Sequence, residues 1–162
     1  MKIVIWVREG TWPACVDAAR ELAGSESAEV TLICVRESSP GGPPDPGFGS
    51  LMGRGRRRKA TEEIDQLSQD AAETMLRRAQ ERLGQEATAR LETGFPERVV
   101  TAAADGADYL ILGRDGDRRR LGPQSLGKHT RFVVDHAPCR VLLIWPDRVP
   151  DLGSIPPPPP DR

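Results

Sequence analysis

Four short apolar runs constrain this chain more than any other feature: Ile3-Val4-Ile5-Trp6-Val7, Val30-Thr31-Leu32-Ile33-Cys34-Val35, Tyr109-Leu110-Ile111-Leu112 and Val141-Leu142-Leu143-Ile144-Trp145. Each is nearly continuous instead of alternating, the pattern of a parallel strand whose two faces are both covered by helices. Ala87 to Leu91 is shorter and more polar, as expected of an edge strand.

Helical patterns separate the runs. Thr11 offers an N-cap and Pro13 a first-turn residue for a helix whose stripe is Val16, Ala19, Leu22 and Ala23. From Glu62 to Leu83 the residues Ile64, Leu67, Ala71, Met75, Ala79 and Leu83 recur at threes and fours. Shorter helices fit Pro96 to Ala104 and Lys128 to His136. Strand and helix thus alternate, which predicts one α/β domain with a parallel sheet, right-handed crossovers and helices on both faces, a three-layer α/β/α arrangement. A length of 162 residues suits a single domain.

Two segments fall outside that plan. Residues 38–59 read SSPGGPPDPGFGSLMGRGRRRK, with little to bury, and predict a flexible insertion rich in proline, glycine and arginine. The basic cluster at its end lacks interleaved aromatics and reads as a solvated run. Residues 147–162 carry Pro156 to Pro160 and predict a disordered tail, leaving 1–146 as the domain.

The 23 Lys and Arg against 24 Asp and Glu leave no net basic field, which argues against nucleic acid as a partner. No run has the length to cross a bilayer and the first residues lack a signal peptide's apolar stretch, so no membrane partner and a cytoplasmic location are expected. Cys15, Cys34 and Cys139 are scattered beside apolar segments, as buried thiols are in a reducing compartment. His129 and His136 sit seven apart without acidic or cysteine partners at ligand spacing, so no metal site is expected.

The chemistry-bearing stretch follows the fourth run. Gly113-Arg114-Asp115-Gly116 stands at a strand's carboxyl end, where open α/β sheets bind ligands. Gly127 and Lys128 open the next helix, whose amino end supplies amide donors and a dipole favourable to an anion. Together these predict a phosphate cradle; glycines that merely turn the chain are the plain alternative. Gly122 to His129 also stops one residue short of a P-loop, with His129 where Ser or Thr would hold magnesium.

These residues resemble the universal stress protein family. Gly-x-x-Gly after a strand, then Leu121 to Gly127, then Thr130 to Pro146 are similar to the carboxyl half of that domain. Lys2 to Val7, the Glu9-Gly10-Thr11 turn and Ala18 to Ala23 are similar to its first strand, turn and helix. The resemblance implies strand order 3-2-1-4-5, a non-catalytic regulatory stress-response role and, in some members, ATP or another adenine nucleotide as ligand. Carried over residue by residue, Gly113, Gly116, Gly127 and Lys128 take the phosphate positions, Glu9 the turn position and Val35 the adenine contact. The chain departs from the family pattern at two points: ten residues instead of nine separate Gly116 from Gly127, and Lys128 replaces a Ser or Thr. The implied order also places Val141, Leu142, Leu143, Ile144 and Trp145 at an edge, where pairing with a second copy would give a homodimer. The alternatives are a member without nucleotide that acts through protein contacts, and a weak ATP hydrolase or phosphotransferase.

Overall fold

The computed structural model describes residues 1–38 and 54–160, so most of the expected insertion, residues 39–53, and the last two residues of the expected tail lie outside the described residues. The order is β1 (Lys2–Trp6), α1 (Trp12–Ala23), β2 (Glu29–Glu37), α2 (Arg54–Leu83), β3 (Thr88–Gly94), α3 (Pro96–Ala103), β4 (Tyr109–Gly113), α4 (Lys128–His136) and β5 (Arg140–Ile144). All strands pair in parallel in the order β3-β2-β1-β4-β5, as expected.

The continuous apolar runs follow from two-sided burial. Successive side chains of a strand point to opposite faces. Ile3, Ile5 and Val7 therefore enter the core under α1 and α2, with Cys15, Val16 and Leu76. Val4 and Trp6 enter the core under α3 and α4, with Val100, Leu112 and Val133. An alternating strand would have left one of these helical layers without a floor.

The long helix departs from its expected form in two ways. It starts at Arg54 instead of Glu62, so the basic cluster is helical from Arg54 to Lys59. Arginine and lysine are good helix formers, but without apolar residues they show no period. Its buried stripe is Ala72, Leu76, Ala79 and Leu83, whereas Ile64 and Leu67 are exposed to 67% and 68%. Only the carboxyl-terminal half lies against the sheet and α1. Arg82 ties that half to α1 through a two-pronged contact with Asp17 at 2.8 and 2.7 Å. Arg36 of β2 reaches back to Asp65 and to the Ser68 hydroxyl at 3.4 Å.

After β5, Leu152–Ser154 form a short 3-10 turn. The Ser154 hydroxyl accepts the Leu121 amide at 3.0 Å, which brings Ile155 and Pro156 over Leu121 and Pro123 around a hollow of about 490 Å³. No described helix is long and apolar enough to cross a membrane.

Register sets the position of the candidate site. Ile5 stands opposite Ile111, and Trp6 opposite Ile33. The carboxyl ends of β1, β2 and β4 therefore lie side by side, where the connection from β1 runs to one side of the sheet and β4 lies on the other. That is the crevice at which α/β sheets hold ligands.

Candidate functional site

β4 ends at Gly113, and the chain loops through Gly116 to a 3-10 turn at Pro123–Ser125 before α4 begins at Lys128. Two backbone bonds fold this loop on itself: the Gly116 amide donates to the Ser125 carbonyl at 2.9 Å, and the Asp117 amide to the Gln124 carbonyl at 2.8 Å. The loop and the amino end of α4 are thereby held together. A Cβ on Gly116 would lie 2.2 Å from the Gln124 carbonyl oxygen, so no other residue fits there without moving backbone.

The amino end of α4 has its own anion. The Gly127 amide donates to Asp115 Oδ1 at 2.8 Å. The other Asp115 oxygen is paired with the Arg8 guanidinium. Arg8 in turn donates to the buried Thr130 hydroxyl at 3.1 Å and lies 4.5 Å over the Trp6 ring. The network thus joins the end of β1, the β4 loop and the first turn of α4. Asp115 keeps only 15% of its side chain in water and Arg8 31%. Charge-assisted bonds of this kind are the stronger class, and a carboxylate at a helix amino end also meets a favourable dipole.

Next to it, Arg114 lies 4.6 Å from the Trp145 ring and donates to the Ser125 hydroxyl. Its buried Nε has no partner among the described residues, and burial lowers its pKa. Arg118 spans the loop to the Gly10 carbonyl at 3.2 Å and to Asp147 at 3.2 Å. On the α3 side, His129 lies between two carboxylates, Glu97 at 2.7 Å and Glu37 at 3.0 Å. The Glu97 carboxyl is lowered by backbone hydrogen bonding at the start of α3 and, less, by His129.

Of the residues expected at the site, the structure gathers Gly113, Gly116 and Gly127 into one loop assembly with Thr11 and Asp115. Lys128 is the first residue of α4 and its side chain is exposed. Val35, near the end of β2, is half-buried against the α3 and α4 core. Glu9 is not drawn into the loop; it borders a hollow with Trp12, Leu67, Asp70, Met75 and Arg78 on the α2 side. Arg8, Asp115 and Thr130 carry the polar network and were not among the expected residues. Arg8 and Asp115 stand 107 positions apart, so only the acid within Gly-x-x-Gly hinted at the pair. The near P-loop also lacks its context, because a 3-10 turn and not a strand precedes Lys128.

The sequence profile of the universal stress protein family matches residues 3–144. The chain belongs to that family. Among solved universal stress proteins, UspA from Lactobacillus plantarum superposes with a TM-score of 0.59 at 20% identity, over 89% of this chain and 97% of that one. A universal stress protein in complex with cAMP gives 0.58 at 18%, over 91% and 98%. One from Archaeoglobus fulgidus in complex with dAMP gives 0.52 at 19%, over 88% and 96%. At these identities the likeness establishes the fold. No protein with a curated description matches the chain significantly. As a universal stress protein it shares with these relatives the single α/β domain built on a five-stranded parallel sheet.

Proposed function

We propose that this universal stress protein is a non-catalytic, cytoplasmic regulatory module that takes an adenine nucleotide at the carboxyl ends of β1 and β4. One observation carries the reading: the Gly127 amide already holds an anionic group, the Asp115 carboxylate, at the amino end of α4. A site that orders a carboxylate with an amide, a helix dipole and an arginine has the donors a phosphate needs. Relatives solved with cAMP and dAMP support an adenine ligand. In this reading Gly113, Gly116 and Gly127 shape the phosphate side, Lys128 adds a cation at its rim, Glu9 flanks the β1 turn and Val35 offers an apolar surface to the base.

Several groups that could serve catalysis are otherwise engaged. His129 is bound by Glu37 and Glu97, and His136 contacts the Phe132 carbonyl at 2.7 Å. Burial raises the Cys15 and Cys34 thiols. The domain spans 1–146 with the proline-rich tail as an appendage. β5 carries Val141, Leu142, Leu143 and Ile144, all half-buried, at the sheet edge and supports a homodimer through that strand, continued by Trp145.

Calorimetry with ATP tests the ligand: binding that weakens several-fold in Lys128→Ala is expected, and no heat at millimolar ATP refutes the reading. Sedimentation tests the dimer, which fails if the mass stays at the 17.7 kDa of one chain. A second reading, a member that acts through protein contacts without nucleotide, is favoured by the same loop, because its own side chain fills the phosphate position.

A further inference from the structure

We infer that Asp115 is an internal stand-in for a ligand phosphate and the residue that sets anion affinity at this site; the inference rests on the nucleotide reading above for its ligand. The Gly127 amide is the donor a phosphate at the amino end of α4 requires, and it is spent on Asp115 Oδ1 at 2.8 Å. The space is spent as well. A Cβ on Gly127 would lie 2.9 Å from Asp115 Oδ2 and 3.1 Å from Oδ1, so the carboxylate rests against the glycine surface that a phosphate oxygen would approach. Two anions cannot share that position, because like charges at contact repel strongly where solvent is largely excluded.

Arg8 makes the arrangement an exchange instead of a permanent block. Its guanidinium is held in place by the Trp6 ring at 4.5 Å and by Thr130 at 3.1 Å, contacts that do not involve Asp115. When the carboxylate swings out, Arg8 remains aimed at the same point through its Thr130 and Trp6 contacts, and the N–H that Asp115 releases is left for a phosphate oxygen. Asp115 lies after the end of β4 and before the 3-10 turn at Pro123–Ser125, so its side chain can leave without breaking a helix or strand. Wild-type protein therefore binds only anions able to displace a neighbouring carboxylate from an arginine and a helix end. That selects for multiply charged phosphate groups over singly charged anions.

The test uses the full chain and two variants, Asp115→Ala and the near-isosteric Asp115→Asn, each first checked for a wild-type circular dichroism spectrum and melting profile. ATP is titrated by calorimetry, and inorganic phosphate is titrated while the Gly127 amide is followed by NMR. Both probes should bind at least ~10-fold tighter to Asp115→Ala, which at ~1.4 kcal/mol per tenfold is a modest difference and readily measured. Adding Arg8→Ala to Asp115→Ala should remove that gain. Equal phosphate response at Gly127 in wild type and both variants overturns the inference, whatever ATP does. A Gly127 response that sharpens in Asp115→Ala while ATP gives no heat in any protein supports Asp115 as the stand-in and overturns the nucleotide reading alone. ATP binding of equal strength in all proteins leaves the nucleotide reading intact and removes the role of Asp115.

Discussion

Gly113 and Thr11 touch so closely that a Cβ added to the glycine would sit 2.4 Å from the Cβ of the threonine. Thr11 is itself 2% exposed, and its hydroxyl donates to the Arg8 carbonyl at 3.4 Å in the turn between β1 and α1. The glycine at the end of β4 is thus required by the passage of one segment against another, independently of any ligand. Gly113→Ala should destabilise the fold by about 1–3 kcal/mol, the range for overpacking a full site. Urea unfolding measures it, and Thr11→Gly in the same chain should recover part of the loss. As a contrast, Gly55→Ala in α2 meets nothing within 4 Å and should stabilise by up to ~1 kcal/mol through helix propensity.

Two leucines of the same helix should behave in opposite ways. Leu76 is 5% exposed and packs with Ile3, Ile5 and Ala19, whereas Leu67 is 68% exposed. Leu76→Ala should cost about 2–5 kcal/mol and Leu67→Ala no more than ~0.5 kcal/mol. Equal losses in denaturant midpoints would contradict the packing of α2 described above.

Asp117 should titrate abnormally. The Arg119 guanidinium donates to it at 2.9 and 3.0 Å and the Arg119 amide at 3.1 Å, and these bonds hold its carboxyl down to about 2. A depressed carboxyl stabilises the folded loop fully above the ordinary value of about 4, and the benefit fades as pH falls through about 2. Carboxyl-carbon NMR should find that low midpoint, and Arg119→Ala should move it upward toward the ordinary value. A midpoint unaffected by the substitution would show that the pair is not formed in solution.

The thiols should divide by burial. Cys15 and Cys34 are buried, and burial pushes Cys15 up to about 12 and Cys34 upward, so neither presents thiolate at pH 8. Cys139 is only half-buried, although burial raises it too. A thiol reagent at pH 8 should therefore modify Cys139 alone in native protein and all three in guanidinium. Early reaction at Cys15 would mean that α1 opens from the sheet.

The strands were legible because their message is redundant: five apolar residues in a row at Ile3 to Val7 admit little besides a strand buried on both faces. Their order was legible only through the resemblance, since parallel strands carry no local sign of their neighbours. The start of α2 escaped because Arg56 to Lys59 have helix propensity without a hydrophobic period. Its stripe was misplaced by one residue at Ala71 and Met75, where Ala72 and Leu76 are the buried ones, for the same reason in reverse: Ile64 and Leu67 keep the period but stay exposed among the described residues. At the candidate site the glycines were visible as glycines, but what they make room for was not. Thr11 against Gly113 and Asp115 against Gly127 are tertiary encounters, and Arg8 gives no sign in sequence that it will meet an acid on another strand's loop.

With 30 residues, α2 is about 45 Å long, more than the nine-residue strand it lies beside can cover at about 3.3 Å per residue. It is a cantilever clamped at Leu76, Ala79 and Leu83, with the Arg36–Asp65 contact acting as its last bracket among the described residues. Beyond that bracket, local pairs such as Arg58 with Glu62 brace the overhang, and such pairs contribute only a few tenths of a kcal/mol each. The overhang is thus free to fray turn by turn without loosening the sheet, so its amides should exchange with solvent far sooner than those near Ala79.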